Sequence, residues 1–280
     1  MELQRITSFE DEILPNIIGN NLVKKVLALQ MFSIPSIGEK LHTLTVGDVA
    51  SGKSTAAVEL MQIVYGSTYT GKKITEVGLL EKIASSDGSI IYVDELDKIK
   101  KQVREQLLEC MQTGTITYDK HQYHQSIPAR INVSCFCNPR GYIINENMSV
   151  IDNLPFSLPL ISRFHFFLTV KSLDPTFYGD YAMKKSGYEK EGDDKFTLKK
   201  YLVQVKEKVP RVAISNSIAN DIGQYARMLK SYSSMNRIIS PRLIEGLLSA
   251  TRARARMNFR EKATEEDWRY VEEIANEIYR

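Results

Sequence analysis

Long apolar runs are missing from this 280-residue chain, and no stretch reaches the length needed to span a bilayer. The opening Met1-Glu2-Leu3-Gln4-Arg5 lacks the apolar core of a secretory signal. Cysteine is scarce: Cys110, Cys135 and Cys137 are an odd set that argues against a disulfide framework and suits a reducing compartment. An excess of one charge is absent as well. The net charge is only +3, so any surface that attracts a polyanion has to be local. Neither an internal repeat nor a low-complexity tract is found, which argues against stacked-repeat architectures. What is there is 43% hydrophobic and 25% charged, an ordinary balance for a folded protein of one large domain or two modest ones. The expected location is cytoplasmic.

The chain is organised around Gly47-Asp48-Val49-Ala50-Ser51-Gly52-Lys53-Ser54-Thr55, which matches GxxxxGK[ST]. Residues 41–46 alternate apolar and polar and predict a strand, and residues 55–63 predict a helix without Gly or Pro. Strand, glycine-rich turn and helix point backbone N–H groups and a helix N-terminus at one place, which suits a phosphate. Lys53 is placed to reach the β- and γ-phosphates of a nucleotide, and the Ser54 hydroxyl to ligate Mg²⁺.

A second informative piece is Ser89-Ile90-Ile91-Tyr92-Val93-Asp94-Glu95, a buried strand by length and composition that ends in two acids. A parallel strand delivers its C-terminal end to the ligand crevice. Asp94 there would hold Mg²⁺, directly or through water, and Glu95 would polarise the attacking water. Around these pieces the pattern predicts helices at 21–32, capped by Asn20 or Asn21, at 79–85, and at 100–111 with Val103, Leu107, Leu108 and Met111 inward. Residues 33–40 and 66–73 read as loops. Residues 115–118 and 123–127 read as a hairpin, 130–137 and 166–170 as strands, and 142–159 as irregular. The charged, Gly- and Tyr-rich stretch 171–195 reads as a linker. Beyond it, segments near 197–207, 214–230, 240–258 and 264–279 are helical, the last with Thr264 as a cap. The expected layout is an α/β nucleotide-binding domain over 1–170, with a central parallel sheet, and a small α-helical lid over 196–280.

Such a layout suggests an AAA+ P-loop ATPase. The stretches PNIIGNNLVKKVLALQMF (15–32), VDELDKI (93–99), CNPRGYI (137–143), NLPFSLPLISRF (153–164) and ISPRLIEGLLSATRARAR (239–256) resemble the AAA+ core of the minichromosome maintenance (MCM) replicative helicases, in the right order and over nearly the whole chain. The resemblance implies that Asn138 is sensor 1 and orients the hydrolytic water. It implies that Arg163 is an arginine finger acting on a neighbouring copy's ATP, and that Arg242 is sensor 2, also serving in trans. Lys120 matches the hairpin lysine that touches DNA in the ring channel, and Ile17 and Ile18 match the segment beside the adenine. ATP and Mg²⁺ are then the expected cofactors. Single-stranded DNA and further copies in a ring, expected to be a hexamer, are the expected partners, in a DNA-associated protein of prokaryotic type.

The sequence also departs from the family. Gly52 stands where an Ala is usual, His165 where an Asp follows SRF, and Thr113 where many members have a Gln. Between Tyr69 and Ser89 the chain is shorter, so the helix-2 insert is expected to be missing. No N-terminal DNA-binding and zinc domain is recognisable, which fits a minimal or mobile-element relative or a fragment. His121 and His124 lack cysteine or acid partners for a metal site, and Cys135 and Cys137 fit core packing. Arg252, Arg254 and Arg256 read as a solvated helix face or as a contact to DNA or a neighbouring copy. Rivals to the motor reading are an AAA+ remodelling or regulatory ATPase acting on a protein partner, and a nucleotide-binding subunit with little turnover.

Overall fold

The computed structural model describes residues 9–15, 17–49, 51–120, 123–170, 172–186, 195–233 and 235–280. In chain order, α1 (Phe9–Glu12) and α2 (Asn21–Phe32) precede β1 (Thr43–Gly47), α3 (Lys53–Ile63), β2 (Thr68–Thr70) and α4 (Glu76–Ser85). Next come β3 (Ile90–Val93), α5 (Lys101–Thr113), a hairpin of β4 (Thr115–Lys120) and β5 (Tyr123–Pro128), and β6 (Asn132–Cys137). Two one-turn helices, α6 (Val150–Asn153) and α7 (Leu158–Ile161), lead to β7 (Phe166–Val170) and α8 (Tyr178–Lys185). The chain closes with α9 (Lys195–Lys208), α10 (Asn216–Tyr232), α11 (Pro241–Met257) and α12 (Glu265–Tyr279).

Five strands form one parallel sheet in the order β2-β3-β6-β1-β7. Strand β6 lies between β3 and β1, so the acid-bearing strand and the P-loop strand flank a common neighbour. The central strands are buried on both faces and accordingly read as apolar or β-branched runs. Several of their buried polar groups are paired, although the Thr45 and Tyr92 hydroxyls have no hydrogen-bond partner among the described residues. Asn132 Oδ1 accepts from the Leu41 N–H at 2.8 Å, its Nδ2 donates to Ser33 Oγ at 2.6 Å, and the Thr43 and Ser134 hydroxyls meet at 3.0 Å.

Several expectations need correction. Residues 66–73 are not all loop, because Thr68–Thr70 adds the edge strand β2 beside β3. Residues 142–159 contain α6 and α7, and the described part of 171–195 contains α8. Asn20 adopts left-handed angles and makes no side-chain cap to α2. On α5 it is Cys110 that is buried beside Val103, Leu107 and Met111, with Leu108 only partly covered. The capping role of Thr264 is observed as a reciprocal box with Asp267.

The hydrophobic core continues from the sheet into the C-terminal helices, where α11 packs on α2, α9, α10 and α12. Arg256 lies inside that core with no exposed surface, so it belongs to neither a solvated face nor a contact surface. Its guanidinium bonds both Glu39 oxygens at 2.8 Å, and donates to the Val209 and Phe32 carbonyls at 2.7 Å and to Pro210 O at 3.5 Å. All five N–H donors of the arginine have an acceptor, the condition under which a buried ion pair is tolerated. Arg254 stacks over Tyr270 at 3.8 Å and pairs with Glu10 at 3.5 Å. Arg256→Met, which leaves the buried Glu39 carboxylate without its guanidinium partner while the Ile34 N–H still donates to it, should destabilise the fold by about 3–5 kcal/mol in urea unfolding. A companion Glu39→Leu exchange should recover much of that loss, because the pair is costlier to break than to remove.

Candidate nucleotide site

At the C-terminal ends of β1, β3 and β6 lies a cavity of about 510 Å³. Among its lining are Val49, Ser51, Gly52, Lys53, Ser54, Thr55, Asp94, Glu95 and Asn138. Stretches far apart in sequence thus meet at one place, as the sheet order dictates. Gly52 is left-handed (φ 85, ψ 6) and opens α3, so the alanine usual in the resembling family would be strained here. A Cβ on Gly47 would come within 2.6 Å of Val170 O and 2.8 Å of Ser51 Oγ, so the first glycine is a matter of space.

Lys53 is buried and ties the loop together. Its Nζ donates to Gly47 O at 2.8 Å, Asp48 O at 2.6 Å and Ser51 Oγ at 3.1 Å. Burial lowers its pKa from the ordinary lysine value, against the pull of carboxylates that include Asp94. Asp48 also fixes the rim, where its Oδ1 accepts from the Ile144 N–H at 2.9 Å. Ala50 lies outside the described residues. Ile17 approaches the loop, its Cδ1 being 4.0 Å from a Cβ built on Gly52; Ile18 is half-buried and not part of the cavity lining.

The acids are held from the edge of the sheet. Tyr69 Oη donates to Asp94 Oδ2 at 3.1 Å, and the Glu95 N–H donates to Asp94 Oδ1 at 2.9 Å. Burial and the Asp94 charge push the Tyr69 phenol up to about 12. Glu95 has left-handed angles (φ 51, ψ 44), unusual for a residue with a Cβ and common where function holds strain. Its carboxylate is gripped by Lys98 and by Lys72, the latter at 3.2 Å. The two ammonium groups, Lys98 foremost, hold the Glu95 carboxyl below its ordinary value. Lys98 and Tyr142 also line the cavity. No role is assigned to Tyr69, Lys72, Lys98 or Tyr142 from the sequence, although Lys98 lies in the VDELDKI stretch and Tyr142 in CNPRGYI.

That grip has a sign. A carboxyl depressed in the fold stabilises it above the unfolded-chain value, and the contribution is lost as pH falls through the folded value. Lys72→Ala should therefore move the titration of Glu95 upward, so that its share of acid destabilisation becomes smaller and is complete at a higher pH. Carbon-detected NMR of the carboxyl would show this, and an unmoved midpoint would assign the grip to Lys98 alone.

The donor set suits one kind of metal. The Ser54 hydroxyl and Asp94 carboxylate are hard oxygen donors in one cavity, and each Asp94 oxygen has one hydrogen bond and a lone pair to spare. Among the described residues no group of three or more His, Cys, Asp or Glu is placed to cage an ion. A single carboxylate and a hydroxyl suit Mg²⁺, which keeps waters and takes ligands from substrate phosphates. The His121 and His124 reading falls on side chains outside those described. Cys135 and Cys137 are core residues of β6, and burial raises both thiols well above the ordinary value.

Asn138 follows β6, half-buried, and its N–H donates to Asp97 Oδ1 at 3.2 Å. Arg163 and Arg242 do not line the cavity. They lie near one another instead, Arg242 Nη1 reaching the carbonyl of Ser162 at 3.4 Å. Arg163 is half-buried, and its Nε has no partner among the described residues. Lys120 ends β4 opposite Tyr123 at the hairpin tip; its side chain lies outside those described. Among the described residues the Thr113 hydroxyl bonds within its own turn, donating to Glu109 O and Thr115 O at 2.9 Å.

A P-loop strand and an acid-ended strand that flank the strand leading into Asn138, all in one parallel sheet, define a P-loop nucleotide-binding core of the AAA+ class. Residues 41–177 match the pattern of the MCM P-loop domain. The chain is 26% identical to "DNA replication licensing factor Mcm2" of Drosophila melanogaster, over 90% of this chain and 34% of that protein. It is likewise 26% identical to "Minichromosome maintenance protein MCM" of Saccharolobus solfataricus, over 91% of this chain and 42% of the relative. With "Probable DNA helicase MCM9" of Oryza sativa subsp. indica the identity is 27%, over 91% of this chain and 43% of the other. The P-loop match and these relatives, which run over most of the chain, are consistent with an MCM AAA+ core, and the chain spans less than half the length of these relatives. No helix among the described residues is long and apolar enough to cross a membrane.

Proposed function

We propose that this core hydrolyses ATP and works on DNA as a ring of copies, a hexamer being the expected form. The observation that carries the reading is the meeting of Lys53, Ser54, Asp94, Glu95 and Asn138 on one cavity at the strand ends. In this reading the Lys53 ammonium leaves the loop carbonyls for the β- and γ-phosphates, and the backbone N–H groups of the loop hold the rest. Ser54 and Asp94 hold Mg²⁺, which when bound neutralises phosphate charge. Glu95 accepts a hydrogen bond from the attacking water and Asn138 orients that water for in-line displacement at phosphorus. Ile17 and Ile18 lie toward the base. Arg163 and Arg242, which do not line their own chain's cavity, supply cations to the nucleotide of the next copy.

The division into a base (1–170), a connecting stretch (171–195) and a helical lid (196–280) is part of this proposal. So is the role of Lys120 at the hairpin tip, as a contact to single-stranded DNA. Lys120→Ala should weaken single-strand binding and flatten its salt dependence by about 0.7 in log–log slope for every phosphate that is no longer neutralised. Fluorescence anisotropy across a salt series checks this. An unchanged slope would make Lys120 a solvated tip, and a failure of the unaltered chain to bind DNA would favour a protein partner instead.

A further inference from the structure

Arg163 and Arg242 come from different parts of the chain, and a motor that shares its site needs them at a fixed mutual distance. The structure shows what sits between them. His165, two residues after Arg163, is 3% exposed and stacks on His42, with ring centroids 5.1 Å apart and planes 21° from parallel. The His42 N–H donates to His165 Nδ1 at 2.8 Å, while the His165 N–H donates back to His42 O at 2.9 Å. His42 Nδ1 in turn accepts from the Val133 N–H at 3.1 Å, which joins the pair to β6. Each acceptor role requires an unprotonated Nδ1. Burial pushes both imidazoles down, His165 to about 3, in keeping with two neutral rings.

The other side of His165 meets the C-terminal helices. A Cβ built on Gly246 of α11 would lie 2.6 Å from His165 Cβ and 2.8 Å from its ring carbons, so the helix backbone rests directly on the imidazole. Gly246 is one turn beyond Arg242, on the same face of α11. The Tyr279 hydroxyl of α12 donates to the His165 carbonyl. Arg242 then reaches back to Ser162 O, on the loop that carries Arg163. One buried side chain thus touches the β-sheet, the loop of Arg163 and the helix of Arg242.

We propose that His165 is a positioning residue that locks Arg163 and Arg242 into a single cationic edge, presented to the nucleotide of a neighbouring copy of this chain. The inference rests on the reading of a site shared between copies. It adds the element that sets the geometry of the trans-acting side, built here from an imidazole pair and a glycine. Loss of the imidazole leaves the P-loop, Asp94 and Glu95 of the same chain in place and lets the two arginines drift apart. A displacement near 1 Å in a charge-stabilising group costs about 10²-fold in rate.

The test is a mixing series in which subunit exchange is first shown with labelled copies. His165→Ala should bind a fluorescent ATP analogue as the unaltered chain does and turn ATP over about 10²-fold more slowly. His165→Asn, which keeps an acceptor for the His42 N–H, should recover most of that loss. His165→Ala mixed with Lys53→Ala should regain activity, because one supplies the P-loop and the other the edge. Mixed with Arg163→Ala it should not, since both lack a working edge. Should His165→Ala fail to fold, Gly246→Ala, which keeps the imidazole and displaces only α11, carries the same series. Unaltered turnover in the folded variant would overturn the proposal. It is also overturned if Arg163→Ala with Lys53→Ala recovers activity and the His165 or Gly246 variant with Lys53→Ala does not. If the Arg163→Ala and Lys53→Ala mixture itself stays inactive, the shared site is wrong and the positioning role falls with it.

Discussion

A Glu95→Gln protein should bind ATP like the unaltered chain and turn it over about 10²–10⁴ times more slowly, a loss of roughly 3–5 kcal/mol in the transition state. Gln keeps the size of the side chain in the cavity and removes its ability to take up a proton or polarise water. In the proposed reading phosphate binding rests on other groups, the loop N–H donors and Lys53, which the exchange does not touch. The exchange also frees Lys72 and Lys98 from their partner, so a small gain in nucleotide affinity would be consistent with the account. Single-turnover hydrolysis with bound ATP measured separately distinguishes the two steps. Near-normal turnover would remove Glu95 from the role of base.

The second large effect belongs to Arg163. An arginine that completes a neighbour's site is worth about 10³–10⁵ in turnover, or roughly 4–7 kcal/mol. Arg163→Ala should therefore be almost inactive while still binding ATP, because the side chain is not part of its own chain's cavity. Its side chain is half-buried, and its buried Nε has no hydrogen-bond partner among the described residues. Lys53→Ala should be inactive for a different reason, the absence of phosphate binding, yet keep an intact edge. Equimolar mixing of the two should restore part of the rate, as interfaces form with a working loop on one side and Arg163 on the other. If Arg163→Ala alone keeps a normal rate, the assignment is wrong.

Much of this site is legible in the sequence because its parts are local. A P-loop is contiguous, so Gly47 to Thr55 carries its own geometry, and Asp94 and Glu95 mark the end of a strand apolar enough to be recognised alone. The α2 boundaries likewise follow from an unbroken helical run between Asn20 and Ser33. What stays hidden depends on pairing across the chain. The edge strand β2 has only three residues, Thr68–Thr70, too few for alternation to register beside Gly66 and Gly71. With β2 unseen, Tyr69 and Lys72 could not be set against Asp94 and Glu95. Arg256 reads as one of three arginines on a helix surface, and only the distant Glu39 makes its burial tolerable. His165 reads as a departure from a family pattern. Its meaning depends on His42, Gly246 and Tyr279, which lie between 81 and 123 residues away.

The most direct measurement of the central claim is the steady-state ATPase rate per mole of chain, followed across protein concentration with and without single-stranded DNA. A site completed by a neighbouring copy gives a rate per mole that rises with concentration as rings assemble, and DNA held in the ring raises it further. A rate per mole that is flat with concentration and indifferent to DNA would contradict both the shared site and the action on DNA.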